Sequence, residues 1–238
     1  MHKVVKCVWE HNGNDTLLHA TNLPGAYARG ASKEQAIEKM VSEVYSYLRW
    51  KGDSVPKNIT VEIVQDAACD LQVCDADSDV IFDAEKKPLT MDEYTELKGL
   101  VLKSAEDFLS LFDSVPDKDK YDRHVRRTFY GQVPRTATEM YVHTKNVNEY
   151  YFAEIDVDAD NEGTILDCRN RGFEALEAKV GFLENPVIAG SYGELWSLRK
   201  VLRRFLWHDR IHAKAMYRMA VRVFGEATIP DVFHFGAV

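Results

Sequence analysis

SYGELWSLRKVLRRFLWHDRIHAKAMYRMAVRV, residues 191–223, is the stretch on which the fold turns. Ser191 and Glu194 have the separation of a capping box, in which a hydroxyl and a carboxylate each satisfy an orphaned backbone N–H at a helix start. Leu195, Leu198, Val201, Phe205, His208, His212, Ala215, Met219 and Val223 then recur at three- and four-residue steps, which predicts one long amphipathic helix. His208 and His212 stand four apart in that stripe, about 6 Å from one another on one face, near enough for both imidazoles to grip a single metal ion. A histidine on an apolar stripe is more often a hydrogen-bonded core residue than a ligand, so the pair needs a third partner before it signifies chemistry.

Three further helices precede this one. Thr90 with Glu93 makes a capping box ahead of Tyr94, Leu97, Val101, Ala105, Phe108 and Phe112, and Pro116 ends the run. Thr136 with Glu139 opens another, whose stripe is Met140, His143, Val147 and Tyr150 or Tyr151. Leu166, Phe173, Leu176, Val180 and Leu183 mark a third, closed by Asn185-Pro186. Four amphipathic helices point to a bundle, in which packing can carry His143 to the His208 and His212 pair. Three unsatisfied buried imidazoles would cost roughly 1–3 kcal/mol each, whereas a bound metal satisfies one nitrogen on each ring. Three nitrogen ligands also leave coordination positions open, the arrangement used for chemistry rather than for structural stapling.

The amino-terminal segment has a different period. Val4-Val5-Lys6-Cys7-Val8-Trp9 is β-rich, Gly13-Asn14-Asp15 offers a turn, and Thr16 to Thr21 gives a second strand. Leu23-Pro24-Gly25 breaks the hairpin, Ala26 to Gly30 supplies a short third strand, and Ser32 with Gln35 starts a helix whose apolar face is Ile37, Met40, Val41, Val44 and Leu48. After Pro56, the alternating run Ile59 to Val64 returns to the sheet. The expected organisation is an α+β domain over residues 1–66, an acidic linker or edge segment over 67–88, an all-α four-helix bundle over 89–226 and a tail over 227–238. Each of the two domains carries its own apolar pattern, so residues 86–238 are expected to fold without the rest.

From Asp66 to Glu85 the chain has seven acidic residues and no Lys or Arg. This reads as a boundary, although Val80-Ile81-Phe82 could add an edge strand; the glycine and terminal glutamate spacings of a calcium loop are absent. A net charge of −8 argues against a general attraction to nucleic acid or anionic lipid, which both need a basic footprint. The last helix does carry Arg199, Lys200, Arg203, Arg204, Arg210, Lys214, Arg218 and Arg222, read as a solvated face or one docked on the acidic segment. No run reaches eighteen apolar residues and Met1-His2-Lys3 opens no signal peptide, so the expected location is cytoplasmic, with no membrane partner. Cys7, Cys69, Cys74 and Cys168 lack Cys-x-x-Cys spacing and are expected to be reduced thiols.

Residues 3–65 resemble the HicB-like antitoxin fold, a β-β-β-α-β domain. The likeness rests on the order of elements, Leu23-Pro24-Gly25, Gly30 and the helix opening Ser32-Lys33-Glu34-Gln35-Ala36. It implies a module that binds a protein partner or serves as an accessory domain. Residues 89–226 resemble the DinB-like metal-binding four-helix bundles through Thr136 to His143 and through Trp207-His208-Asp209-Arg210-Ile211-His212. That resemblance implies a divalent metal, zinc or nickel, held by His143, His208 and His212, and a small-molecule substrate that in some relatives is a thiol. The long Arg-rich connection from Tyr121 to Arg135 departs from the family pattern. The function expected is a metal-dependent enzyme such as a thiol-utilising transferase or a hydrolase; the alternative is a non-catalytic metal-binding or partner-binding protein of antitoxin-like or regulatory type. Tyr150, Tyr151 and Arg169 are candidates to reach the site, no catalytic residue is assigned, and Asp209, about 100° round the helix from His208, is not a ligand.

Overall fold

The computed structural model describes residues 2–69, 79–121, 127–128 and 131–236. Strands β1 (His2–Asn12) and β2 (Asp15–Ala20) form the expected hairpin, with β3 (Tyr27–Gly30) antiparallel to β2. Strand β4 (Asn58–Ala68) pairs parallel with β1, so the sheet order is β3-β2-β1-β4. A parallel neighbour cannot be reached by a tight turn, and helix α1 (Lys33–Lys51) supplies the crossover. Ser32 caps α1 by accepting from the Gln35 N–H, and Gly52 ends it in the left-handed region at φ 82°. Because side chains alternate across a strand, Val5, Cys7, Leu18 and Ala20 share the face that packs with Met40, Val44 and Leu48 of α1. The opposite face carries Val8, Glu10, Leu17 and His19.

Four helices follow: α2 (Met91–Ser114), α3 (Ala137–Ala153), α4 (Ile165–Glu177) and α5 (Leu198–Phe224). The capping boxes at Thr90/Glu93 and Thr136/Glu139 are both formed. Helix α5 packs against α2 and α3, and α4 packs against the same two from the other side. An α+β amino-terminal part thus precedes a helical carboxy-terminal part. One apolar core runs through both, from Val5, Leu18 and Leu48 to Phe108, Phe152 and Leu206. Residues 229–236 fold back as well: Phe233 is fully buried, stacks on Trp50, and accepts a hydrogen bond from Ser46 Oγ through its carbonyl.

Several boundaries differ from the sequence expectation. Helix α5 begins at Leu198 with Ser197 as its cap, while Ser191–Gly193 is a 3-10 turn and Leu195–Trp196 (β8) pairs with Ile188–Ala189 (β7). Tyr192 sits at φ 59° and Gly193 at φ 75°, and two consecutive left-handed residues cannot start a right-handed helix. Helix α4 stops at Glu177, leaving Val180 fully exposed and Leu183 in a separate 3-10 turn. In the connection before α3, Arg127–Thr128 (β5) and Gly131–Gln132 (β6) form a minimal pair. Val80-Ile81-Phe82 adds no strand. The Gln65 side chain satisfies this backbone in place of a ladder, donating to the Ile81 carbonyl and accepting from the Asp83 N–H, and a 3-10 turn over Asp83–Lys86 follows. Much of the acidic segment, including Asp70, Cys74, Asp75 and Asp77, lies outside the described residues.

Candidate metal centre

The predicted histidines converge. His143 from α3 and His208 and His212 from α5 each offer a ring nitrogen, and these three nitrogens all lie within 4.8 Å of one another. His143 Nε2 and His208 Nε2 are 3.2 Å apart, and the ring centroids are separated by 5.0 Å (143 to 208), 4.6 Å (143 to 212) and 4.4 Å (208 to 212). Two imidazole nitrogens bound to one zinc at about 2.05 Å with a tetrahedral angle sit about 3.3 Å apart, so the shortest separation already suits a shared ion. The donor set among the described residues fits a divalent metal of borderline softness: three imidazoles, with no thiolate or carboxylate in the group.

Packing sets the position of each ring. His208 is 4% exposed, lies edge-on to Tyr151 at 6.0 Å, and has its Nδ1 buried with no hydrogen-bond partner among the described residues. His212 is half-buried and His143 is exposed, so the cluster opens on the α3 side. Burial, then the neighbouring histidines, holds His208 well below the ordinary imidazole range; the same causes, with the Arg29 guanidinium contributing, push His212 down to about 3. Both rings are therefore neutral at physiological pH, with lone pairs available to a cation, as metal ligation requires.

His143 does not sit on the apolar stripe of its helix as the sequence pattern predicts. The buried line of α3 is Ala137, Met140, Thr144, Asn148, Tyr151 and Phe152, and His143 stands on its flank. Polar Thr144 and Asn148 hide that line from a hydrophobic count. Asn148 is buried because its Nδ2 donates to the carbonyls of Asp160 and Cys168, tying α3 to the loop before α4 and to α4 itself.

Asp209, adjacent to His208, is turned away from the histidines, as expected. It pairs with Arg169 of α4 at 3.1 Å, and both side chains are fully buried. Burial lifts the Asp209 carboxyl above its ordinary range against the opposing charge of Arg169. The guanidinium also lies 3.9 Å over the Phe205 ring. Arg169 is thus a strut between α4 and α5 rather than a group presented to the metal. Tyr150 packs edge-on to Trp196, and of the three candidates only Tyr151 meets a ligand ring.

The basic face of α5 is not solvated over most of its length. Lys200, Arg203, Arg204 and Arg210 are all buried. Arg203 pairs with Glu85 and donates to the Val80 carbonyl, and Lys200 donates to the Asp79 carbonyl while pairing with Glu194. Arg210 and Lys214 share Glu43 of α1, at 2.7 and 2.9 Å. Docking on the end of the acidic segment is therefore real for two of these cations, and α1 takes two more. Arg29, whose charge reaches His212, comes from β3, an element that spacing within the helices could not connect to the site.

No family model, curated protein or solved structure matches this chain.

Proposed function

We propose that the protein binds one divalent metal, zinc or nickel, through His143, His208 and His212, and uses it as a metal-dependent enzyme, in the manner of the DinB-like proteins that the helical part resembles. The observation that carries the reading is the convergence of three imidazoles from two helices, within 4.8 Å, on a side of the molecule where His143 meets solvent. A metal with three protein ligands supplies Lewis acidity to an oxygen or sulfur nucleophile in its open positions. The chain's own part is positional. The Asp209–Arg169 strut fixes α5 against α4, and Tyr151 holds the His208 ring from one side. Burial keeps His208 and His212 unprotonated, so protons do not compete for the ligand nitrogens near neutrality. Transfer to or from a small thiol, or hydrolysis, are the reactions this arrangement suits.

The test joins composition to turnover. Protein purified without an affinity tag is analysed for bound metals, then assayed with thiols and electrophiles and with ester and amide substrates, before and after chelation. About one metal per chain, with activity lost on chelation and restored by metal, is the expected result. Absence of metal from both purified and reconstituted protein would remove the reading. Metal without turnover across the panel, together with a partner recovered through residues 1–66, would favour the regulatory alternative.

A further inference from the structure

A cleft of about 560 Å³ lies where β3, α1, α5 and the carboxy-terminal segment meet, and the three histidines are not among its lining residues. Its cationic walls are Arg29 from β3, Lys39 from α1, and Lys214 and Arg218 from α5; its aromatic walls are Tyr27 and Phe235. Among the described residues, the single acid lining it is Glu43. Both oxygens of that carboxylate are already engaged, Oε1 by Arg210 and Oε2 by Lys214. Although burial works against its charge, these two cations hold Glu43 below the ordinary carboxylate range, so it remains ionised and neutralises one cation's worth of charge.

Lys39 and Arg218 leave a local positive surplus in a chain whose net charge is −8. Lys39 Nζ donates to two neutral acceptors, the Arg29 carbonyl at 3.0 Å and Gln35 Oε1 at 3.3 Å, so its charge meets no carboxylate there. Arg218 is exposed and joins no ion pair among the described residues. Lys214 Nζ lies 5.6 Å from the Tyr27 ring and 5.2 Å from the Phe235 ring, which places a cation between two apolar walls where water screens it less. Like charges brought together from two separate helices repel, and a fold retains such a group most simply when an anion occupies the space between them.

We infer that this cleft is a binding site for a small polyanion, a molecule with phosphate or carboxylate groups that Lys39, Lys214 and Arg218 neutralise. The guanidinium of Arg218 can take two oxygens of one anionic group, and the Lys39 ammonium acts as a point charge across the cleft from it. The cleft shares no lining residue with the three histidines. Lys214 and Arg218 lie roughly 80–120° round α5 from His208, so the metal and the anion face neighbouring sides of one helix.

The experiment is isothermal titration of the full-length, chelator-treated protein with inorganic pyrophosphate and, separately, with citrate, in about 0.15 M salt, where exposed charges are screened beyond about 8 Å. Removing the metal keeps either anion from reporting on the histidines. At least one anion should bind with sub-millimolar affinity, and Lys39→Gln and Arg218→Gln should each weaken it about tenfold, as loss of one charge-assisted hydrogen bond does. Both residues are exposed, so the substitutions leave the core intact, and thermal melts confirm it. Tighter binding of pyrophosphate would place the natural ligand among phosphate esters, tighter binding of citrate among polycarboxylates. Failure of both anions to bind, or equal binding by wild type and both variants, would overturn the proposal.

Discussion

His143 is exposed and His208 is 4% exposed, so the two ligands carry different loads. Removing an exposed imidazole creates no cavity, and His143→Ala should shift the stability of metal-free protein by no more than about 0.5 kcal/mol. Its effect on metal should be far larger. Loss of an outer-shell partner alone typically costs 10–100-fold in affinity, so loss of a ligand should exceed about 100-fold, read by competition with a metallochromic chelator. A variant that binds metal as tightly as wild type would exclude His143 from the site. The cysteines make a second residue-scale case. Burial pushes the Cys7 thiol up to about 12 and raises that of Cys168, so neither presents a thiolate near neutrality. Alkylation of native protein at about pH 8 should leave both unmodified, with labelling only after unfolding, as mass spectrometry of peptides would show. Rapid modification of either in the folded protein would contradict the burial described.

Helix α5 carries His208 and His212, and buried ion pairs as well as its apolar stripe tie it to its neighbours. Asp209→Asn removes the acid paired with Arg169 while keeping the volume, so a fully buried guanidinium loses its counter-charge. The expected cost is about 3–5 kcal/mol, seen in chemical denaturation, and metal affinity should fall with it because His208 shares the helix turn. A neutral outcome would mean that water reaches Arg169. The start of α5 shows what was legible in sequence and what was not. The four-residue step from His208 to His212 is local geometry that any helix imposes, and it could be read directly. So could the Thr90 and Thr136 caps, where an acid three residues on completes the box. Ser197 escaped because its third successor is Lys200, and the hydroxyl caps alone by accepting from the Lys200 N–H and donating to the Glu85 carbonyl. Ser197→Ala should therefore cost about 1–3 kcal/mol, above an exposed cap, because a buried carbonyl also loses its donor. The acidic segment was legible as a docking partner for this face, which Arg203 and Glu85 bear out, but Glu43 of α1 was not legible as the partner of Arg210, because a pairing across 167 residues leaves no periodic trace.

At the scale of the whole molecule, the acidic composition of residues 66–85 suggests a place to cut, while the contacts across it argue that a cut is costly. Glu43, the counter-charge of fully buried Arg210, and Glu85, that of Arg203, both lie before residue 86. So do Leu17, which packs on Trp207, and Gly25, which sits so close to α5 that an added Cβ would fall 2.6 Å from the Leu206 Cβ. Deleting residues 1–85 would expose Leu206 and Trp207 and leave two guanidinium groups unpaired where the helix had buried them, at about 3–5 kcal/mol for each broken pair. Two such losses approach the whole stability of an ordinary domain, about 5–15 kcal/mol. Residues 86–238 alone should therefore show reduced helical ellipticity, bind a dye for exposed apolar surface and lose metal, whereas mixing them with separately produced residues 1–85 should restore part of the signal. The point variant Gly25→Ala isolates the same interface within the intact chain. Its φ of 92° and the contact with Leu206 both oppose a methyl group, so it should destabilise the full-length protein and lower metal affinity without altering any ligand. A fragment 86–238 that melts cooperatively and holds metal like the full chain would show that the amino-terminal part is an appendage, and that the buried cations of α5 find water instead.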